Sequence, residues 1–190
     1  MNDMSDIAST GPREVVAFWR EAGMGKWFRG GEAFDAECRA RFHDLHHAAA
    51  RRELEHWMDD AEGALALVLL LDQIPRNIFR GSGHAYATDP LARHCAARAI
   101  DAGFDLAVDA GAEPALRFFF YMPCEHSEDM SDQHRAVELF TALGEAGLLD
   151  YAIRHRDVIE RFGRFPHRNH ALGRSNTPDE QAWLDAGGGF

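Results

Sequence analysis

Several things are scarce or missing in this 190-residue chain, and each absence removes a class of function. Its most apolar stretch, residues 64–74, is too short to cross a bilayer and carries Asp72. Residues 1–11 are polar and lack the basic-then-apolar order of a secretory signal. Cysteine is limited to Cys38, Cys95 and Cys124, an odd and widely spaced set that predicts reduced thiols in a cytoplasmic protein. Positive charge is outnumbered: 20 Lys and Arg stand against 31 Asp and Glu, for a net charge of -11. That balance excludes nucleic acid as the main partner, because phosphate neutralisation needs a basic surface. There is no His-Glu-x-x-His, no paired Cys-x-x-Cys, no glycine-rich phosphate loop and no dinucleotide fingerprint. No metal or cofactor is therefore assigned. A membrane partner is not expected either.

What is present is ordinary globular composition, 46% hydrophobic and 27% charged, in a chain long enough for one domain with a sizeable core. The expected organisation is a flexible N-terminal segment at 1–11, a single helical domain at 12–186 and a tail at 187–190. Convincing period-two alternation is lacking, so the chain reads as all-α with about eight helices. Pro12 suits a first helical turn before Val15, Val16, Phe18 and Trp19. Phe34, Cys38, Phe42, Leu45 and Ala49 repeat at helical spacing. Residues 61–74 are apolar nearly all round and predict a central helix that Pro75 ends or kinks. Asp89-Pro90 predicts a cap and a helix running to Gly103. Pro114 predicts another, through residues 118–122 to Pro123. Helices over 127–144, with Ser127 as cap, and over 148–162 follow. Thr177, Pro178 and Glu180 spell a capping box for a last short helix.

Three polar stretches, residues 70–80, 123–129 and 162–169, interrupt or border apolar runs. Burying unpaired charge is expensive, so the economical expectation is that they meet in one polar chamber. Helical phase sharpens it. His155 falls in the middle of an apolar face, and the core face of the preceding helix, extended backwards, takes in Gln133 and Asp129. Asp157 and Arg161 fall outside as a solvated pair.

Each candidate chemistry has a structural counterpart. His126, Asp129 and His155 offer two imidazoles and a carboxylate, a set that suits zinc or iron, while His43 and His47 face solvent. Cys124 lies two residues from His126, and a thiolate needs such a base. Glu125, Glu128 and Asp129 crowd three carboxylates where one acquires a raised pKa or all serve a helix N-terminus. Arg164, His167, Arg168 and Asn169 form a donor cluster that either grips an oxyanion or pins the C-terminal segment to residues 125–129.

Asp72-Gln73-Ile74-Pro75-Arg76-Asn77, Ala87-Thr88-Asp89-Pro90, Glu125-His126-Ser127-Glu128-Asp129 and Phe162-Gly163-Arg164-Phe165-Pro166-His167-Arg168-Asn169, with Trp27-Phe28 and Leu172-Gly173-Arg174, resemble the bacterial domain of unknown function 924 family. The resemblance implies stacked antiparallel helix pairs of the tetratricopeptide-like superfamily, although no repeat is visible. It implies no activity. Cys124 departs from the bulky apolar residue that the pattern carries there, which weakens the thiol nucleophile.

The resulting expectation is a cytoplasmic helical protein binding a small anionic molecule or a peptide terminus. The ligand-binding candidates are Asp72, Arg76, Asn77, His126, Glu128, Asp129, His155, Arg164, His167 and Arg168. One alternative is a hydrolase using His126, Asp129 and His155, with a metal where needed. The other is a structural or interaction module with an aromatic surface at Trp19, Trp27 and Phe28.

Overall fold

The computed structural model describes residues 10–109, 111–112 and 115–190. The N-terminal segment 1–9 and the helix start expected at Pro114 lie outside the described residues. Helices and turns account for all regular structure among the described residues, and no strand occurs there. The helices are α1 (Pro12–Arg29), α2 (Gly31–Ala50), α3 (Ala61–Val68), α4 (Ile74–Ile78), α5 (Asp89–Asp101), α6 (Phe104–Ala107), α7 (Met122–Glu125), α8 (Met130–Leu143), α9 (Ala146–Phe162) and α10 (Pro178–Asp185). Among the described residues, no helix is long and apolar enough to cross a membrane.

The chain forms two compact units. Among the described residues, one holds those from 10 through Arg80 together with those of His84–Pro123; the other holds Gly81–Gly83 and Cys124–Phe190. In the first unit, α1 packs on α3, α2 on α4, and α3 on α5. Pro12 occupies the first turn of α1, where its missing N–H costs nothing. Gly23, at φ 65°, breaks that helix in a conformation that a side chain would strain. The stripe from Phe34 to Ala49 is buried as its spacing demands. Trp19 and Trp27 belong to the same core: their rings sit 5.7 and 5.0 Å from Phe119, and Trp27 Nε1 donates to the Trp19 carbonyl at 2.6 Å. Of the three expected surface aromatics, Phe28 is the exposed one.

Two helix expectations need correction. Residues 115–122 do not form one long helix. Arg117–Phe120 is a 3-10 turn with Phe118, Phe119 and Phe120 all buried. Three consecutive aromatic rings on a tight turn reach the core on more sides than one helix face allows. Of the two outcomes expected at Pro75, an end or a kink, the end does not occur. Leu69–Gln73 widens into a π-helical segment and Pro75 falls in the first turn of α4. The carbonyls that this break exposes are taken by side chains. His46 Nδ1 meets the Leu70 carbonyl at 2.8 Å, the Thr88 hydroxyl donates to the Leu71 carbonyl at 2.6 Å, and Arg76 Nη1 donates to the Asp72 carbonyl. Buried carbonyls need such donors, and tertiary structure supplies what proline withholds.

The second unit is built on the α8–α9 hairpin. Val158, Ile159 and Phe165 form a small core, with Met130, Phe162 and Trp183 packed against it. α8 begins three residues later than expected. Asp129, not Ser127, is its cap, accepting from Ser131 N at 2.7 Å. The capping box of α10 forms as read: Thr177 Oγ1 accepts from Glu180 N, and Glu180 accepts from Thr177 N at 2.7 Å.

Candidate functional site: a histidine–glutamate chamber in the second unit

α7 ends at Glu125, and the turn at His126 lets two consecutive side chains leave helical phase. That turn is clamped by its backbone. Gln133, fully buried on α8, donates through Nε2 to the carbonyls of Glu125 and Ser127, both at 2.6 Å. Arg168 Nη1 donates to the carbonyl between them, that of His126, at 2.9 Å. Three consecutive carbonyls are thus fixed by side chains from α8 and from the segment after α9.

His155 enters from the buried face of α9. Its Nδ1 lies 2.8 Å from the Tyr151 carbonyl and 3.0 Å from Glu125 Oε1. A carbonyl only accepts, so Nδ1 carries the hydrogen and Nε2 the lone pair. Burial lowers the His155 pKa to about 2, with His126 adding to the fall and the Tyr151 carbonyl opposing it. The Glu125 carboxylate also favours the charged form, but desolvation is the larger effect and the ring is neutral. The His126 ring centroid lies 6.1 Å from that of His155. Phe165 stands edge-on to His155 at 5.5 Å, with His167 at 5.6 Å and the Arg168 guanidinium 4.3 Å above its own ring.

Phe190 completes the chamber. Its ring is stacked on His155, centroids 3.6 Å apart and planes 13° apart, and it meets Phe165 and His167 edge-on at 6.1 and 5.7 Å. The preceding glycines allow this return. A Cβ on Gly188 would fall 2.3 Å from the Trp183 ring, so only glycine passes there.

The structure sorts the expected residues. His155, His167 and Arg168 gather around Phe165, and His126 lies beside His155. Asp129, expected inward, is exposed at the start of α8, and Glu125 stands beside His155 instead. The helical phase of α8 does not extend past its cap. Glu128 accepts from Arg174 at 2.7 and 2.9 Å and from Phe165 N at 2.8 Å. Arg164 grips Glu180 through two bonds of 2.6 and 2.8 Å, which holds that carboxyl down at about 2 against the effect of burial. The Glu128–Arg174 pair ties the C-terminal segment to the start of the unit, and the Arg164–Glu180 pair ties α10 to the segment after α9. Arg174, central to that tie, was visible in the sequence only as part of the Leu-Gly-Arg motif. Asp157 pairs with its neighbour Arg156 at 2.6 Å and not with Arg161.

Asp72, Arg76 and Asn77 belong to the first unit. Arg76 makes a fork with Asp89 at 3.0 and 3.1 Å and lies 3.3 Å from Asp72. Asn77 Nδ2 donates to Asp35 at 2.7 Å, and Arg80 makes a second fork to the same carboxylate, in an open cleft shared with Glu32 and Arg39. Cys38 and Cys95 are buried thiols, Cys38 pushed up to about 12 mainly by burial, and Cys124 is a partly buried one.

Comparison with known proteins agrees with the sequence motifs. Residues 15–188 match the family described as bacterial protein of unknown function (DUF924). A solved structure from Agrobacterium tumefaciens, "Structure of Protein of Unknown Function ATU0120", is similar at 49% identity. The alignment covers 97% of this chain and 99% of that one, with a TM-score of 0.86. No curated protein matches the chain.

Proposed function

The chain belongs to the bacterial DUF924 family, and within that frame we propose that its second unit is a binding module for a small anionic ligand carrying an aromatic ring, or for a peptide terminus of that kind. The single observation behind this reading is Phe190, whose ring lies flat on His155 and edge-on to Phe165 and His167. A ring that is covalently attached marks the shape and chemistry that the chamber accepts. The Arg168 guanidinium over the Phe165 ring, with the imidazoles of His126 and His167 as further hydrogen-bonding groups, favours a negative group beside the ring. In this reading His126, His155, His167 and Arg168 face the ligand. Glu128 and Arg164 are framing groups of the second unit, while Asp72, Arg76 and Asn77 frame the first. The reading keeps the cytoplasmic setting and the tetratricopeptide-like stacking of helix pairs as parts of the proposal, the latter supported by the α8–α9 hairpin.

A thermal-shift screen of aromatic carboxylates, simple carboxylates and phosphates on the wild type and on Phe190→Ala tests it. Ligand at a hundred times its Kd adds about 2.7 kcal/mol, worth roughly 5–11 °C in a chain of this size. The aromatic acids are expected to stabilise Phe190→Ala more than the wild type. No shift with any anion in Phe190→Ala removes the reading.

One observation favours a hydrolase instead. Glu125, 3.0 Å from His155 Nδ1, holds an imidazole beside a second imidazole, as acid–base catalysis requires. Glu125 then has the orienting role that phase had given to Asp129. Turnover of small esters or amides, lost in His126→Gln, is its signature.

A further inference from the structure

We propose that Glu125, His126 and His155 form a binding site for one divalent first-row transition metal of the zinc or ferrous class. One donor atom from each of the three residues lies within 4.8 Å of the donors of the other two, and all three residues are buried. Donors about 2.0–2.2 Å from a shared ion stand roughly 3.3–4.3 Å from one another, so side-chain rotation of under an ångström closes the set. Two imidazoles and one carboxylate are the ligand types that select this class over calcium or magnesium.

The surroundings are those of a prepared site. The Tyr151 carbonyl lies 2.8 Å from His155 Nδ1 and orients the ring, the usual support for a metal-bound histidine. Gln133 and Arg168 lock the backbone of residues 125–127, so Glu125 and His126 are held without help from an ion. Three protein ligands leave a coordination position open, where a ligand's anionic group can bind. The site stands whether or not an aromatic acid is the ligand.

The test is titration of chelator-treated full-length protein with Co²⁺, followed by its visible d–d bands, and competition by Zn²⁺. One equivalent is expected to develop the bands and Zn²⁺ to abolish them. Glu125→Gln and His126→Gln, checked by circular dichroism, are expected to weaken binding at least about tenfold. The His43→Ala/His47→Ala double variant, which removes a histidine pair on α2, is expected to leave binding unchanged. Absence of bands at stoichiometric Co²⁺, or bands retained in both Glu125→Gln and His126→Gln, overturns the proposal. So does loss of the bands in the His43/His47 variant. Cobalt binding without any response to aromatic acids keeps the metal site and discards the ligand reading; the reverse discards the metal alone.

Discussion

Replacing Thr88 by Val tests whether the motif around Pro75 is a structural lock. Thr88 Oγ1 donates to the Leu71 carbonyl at 2.6 Å. Leu71 lies four residues before Pro75, so in an ordinary helix its partner would be the N–H that proline lacks. Valine keeps the shape of threonine and removes the donor. A part-buried carbonyl left without its donor costs about 1–3 kcal/mol. For a chain of this length that is a fall of roughly 2–12 °C in Tm. Thr88→Ser restores the hydroxyl and is expected to retain most of the lost stability. Urea unfolding of the three proteins, followed by circular dichroism, supplies the comparison. Equal midpoints for Thr88→Val and wild type would refute the reasoning, as would a Thr88→Ser protein no better than Thr88→Val.

Other consequences are as direct. Gln133→Leu strips donors from two buried carbonyls and is expected to cost about 2 kcal/mol or more in urea unfolding. Burial lowers both His155, to about 2, and His46. Below the ordinary histidine value of ~6.5 the unfolded chain takes up protons that the folded chain refuses. Stability therefore falls as pH drops from about 6.5, by up to ~1.4 kcal/mol per pH unit for each group. His155→Gln is expected to flatten that slope. Glu180 acts in the same direction but in a more acidic window: its depressed pKa contributes stability above about 4.5 that is lost as pH falls through about 2, and Glu180→Gln removes that acid dependence. Gly188→Ala, whose Cβ meets the Trp183 ring, is expected to withdraw Phe190 from His155 and shift both rings' NMR signals.

Features encoded within one helical turn were legible in the sequence. The Thr177–Glu180 box and the burial of His155 follow from local spacing alone. Glu125 was not legible as the partner of His155 because it precedes a turn, and helical phase counted back from Gln133 lands on Asp129. The π-helical segment was illegible for the same reason. Proline rules are local, whereas His46 and Thr88, which rescue the broken carbonyls, come from other elements. Arg76 stood among the ligand-binding candidates because nothing near it in sequence announces its fork with Asp89, 13 residues on. The return of Phe190 depends on one glycine passing a tryptophan ring, which no periodicity encodes.

The most direct test of the chamber is NMR of the histidine side chains in Phe190→Ala, titrated with an N-acylated aromatic amino acid. The account predicts saturable shifts at His155 and His167, reproduced in the wild type only at higher ligand concentration because Phe190 competes. Histidine signals in Phe190→Ala that stay fixed at every concentration of the aromatic acid would contradict it.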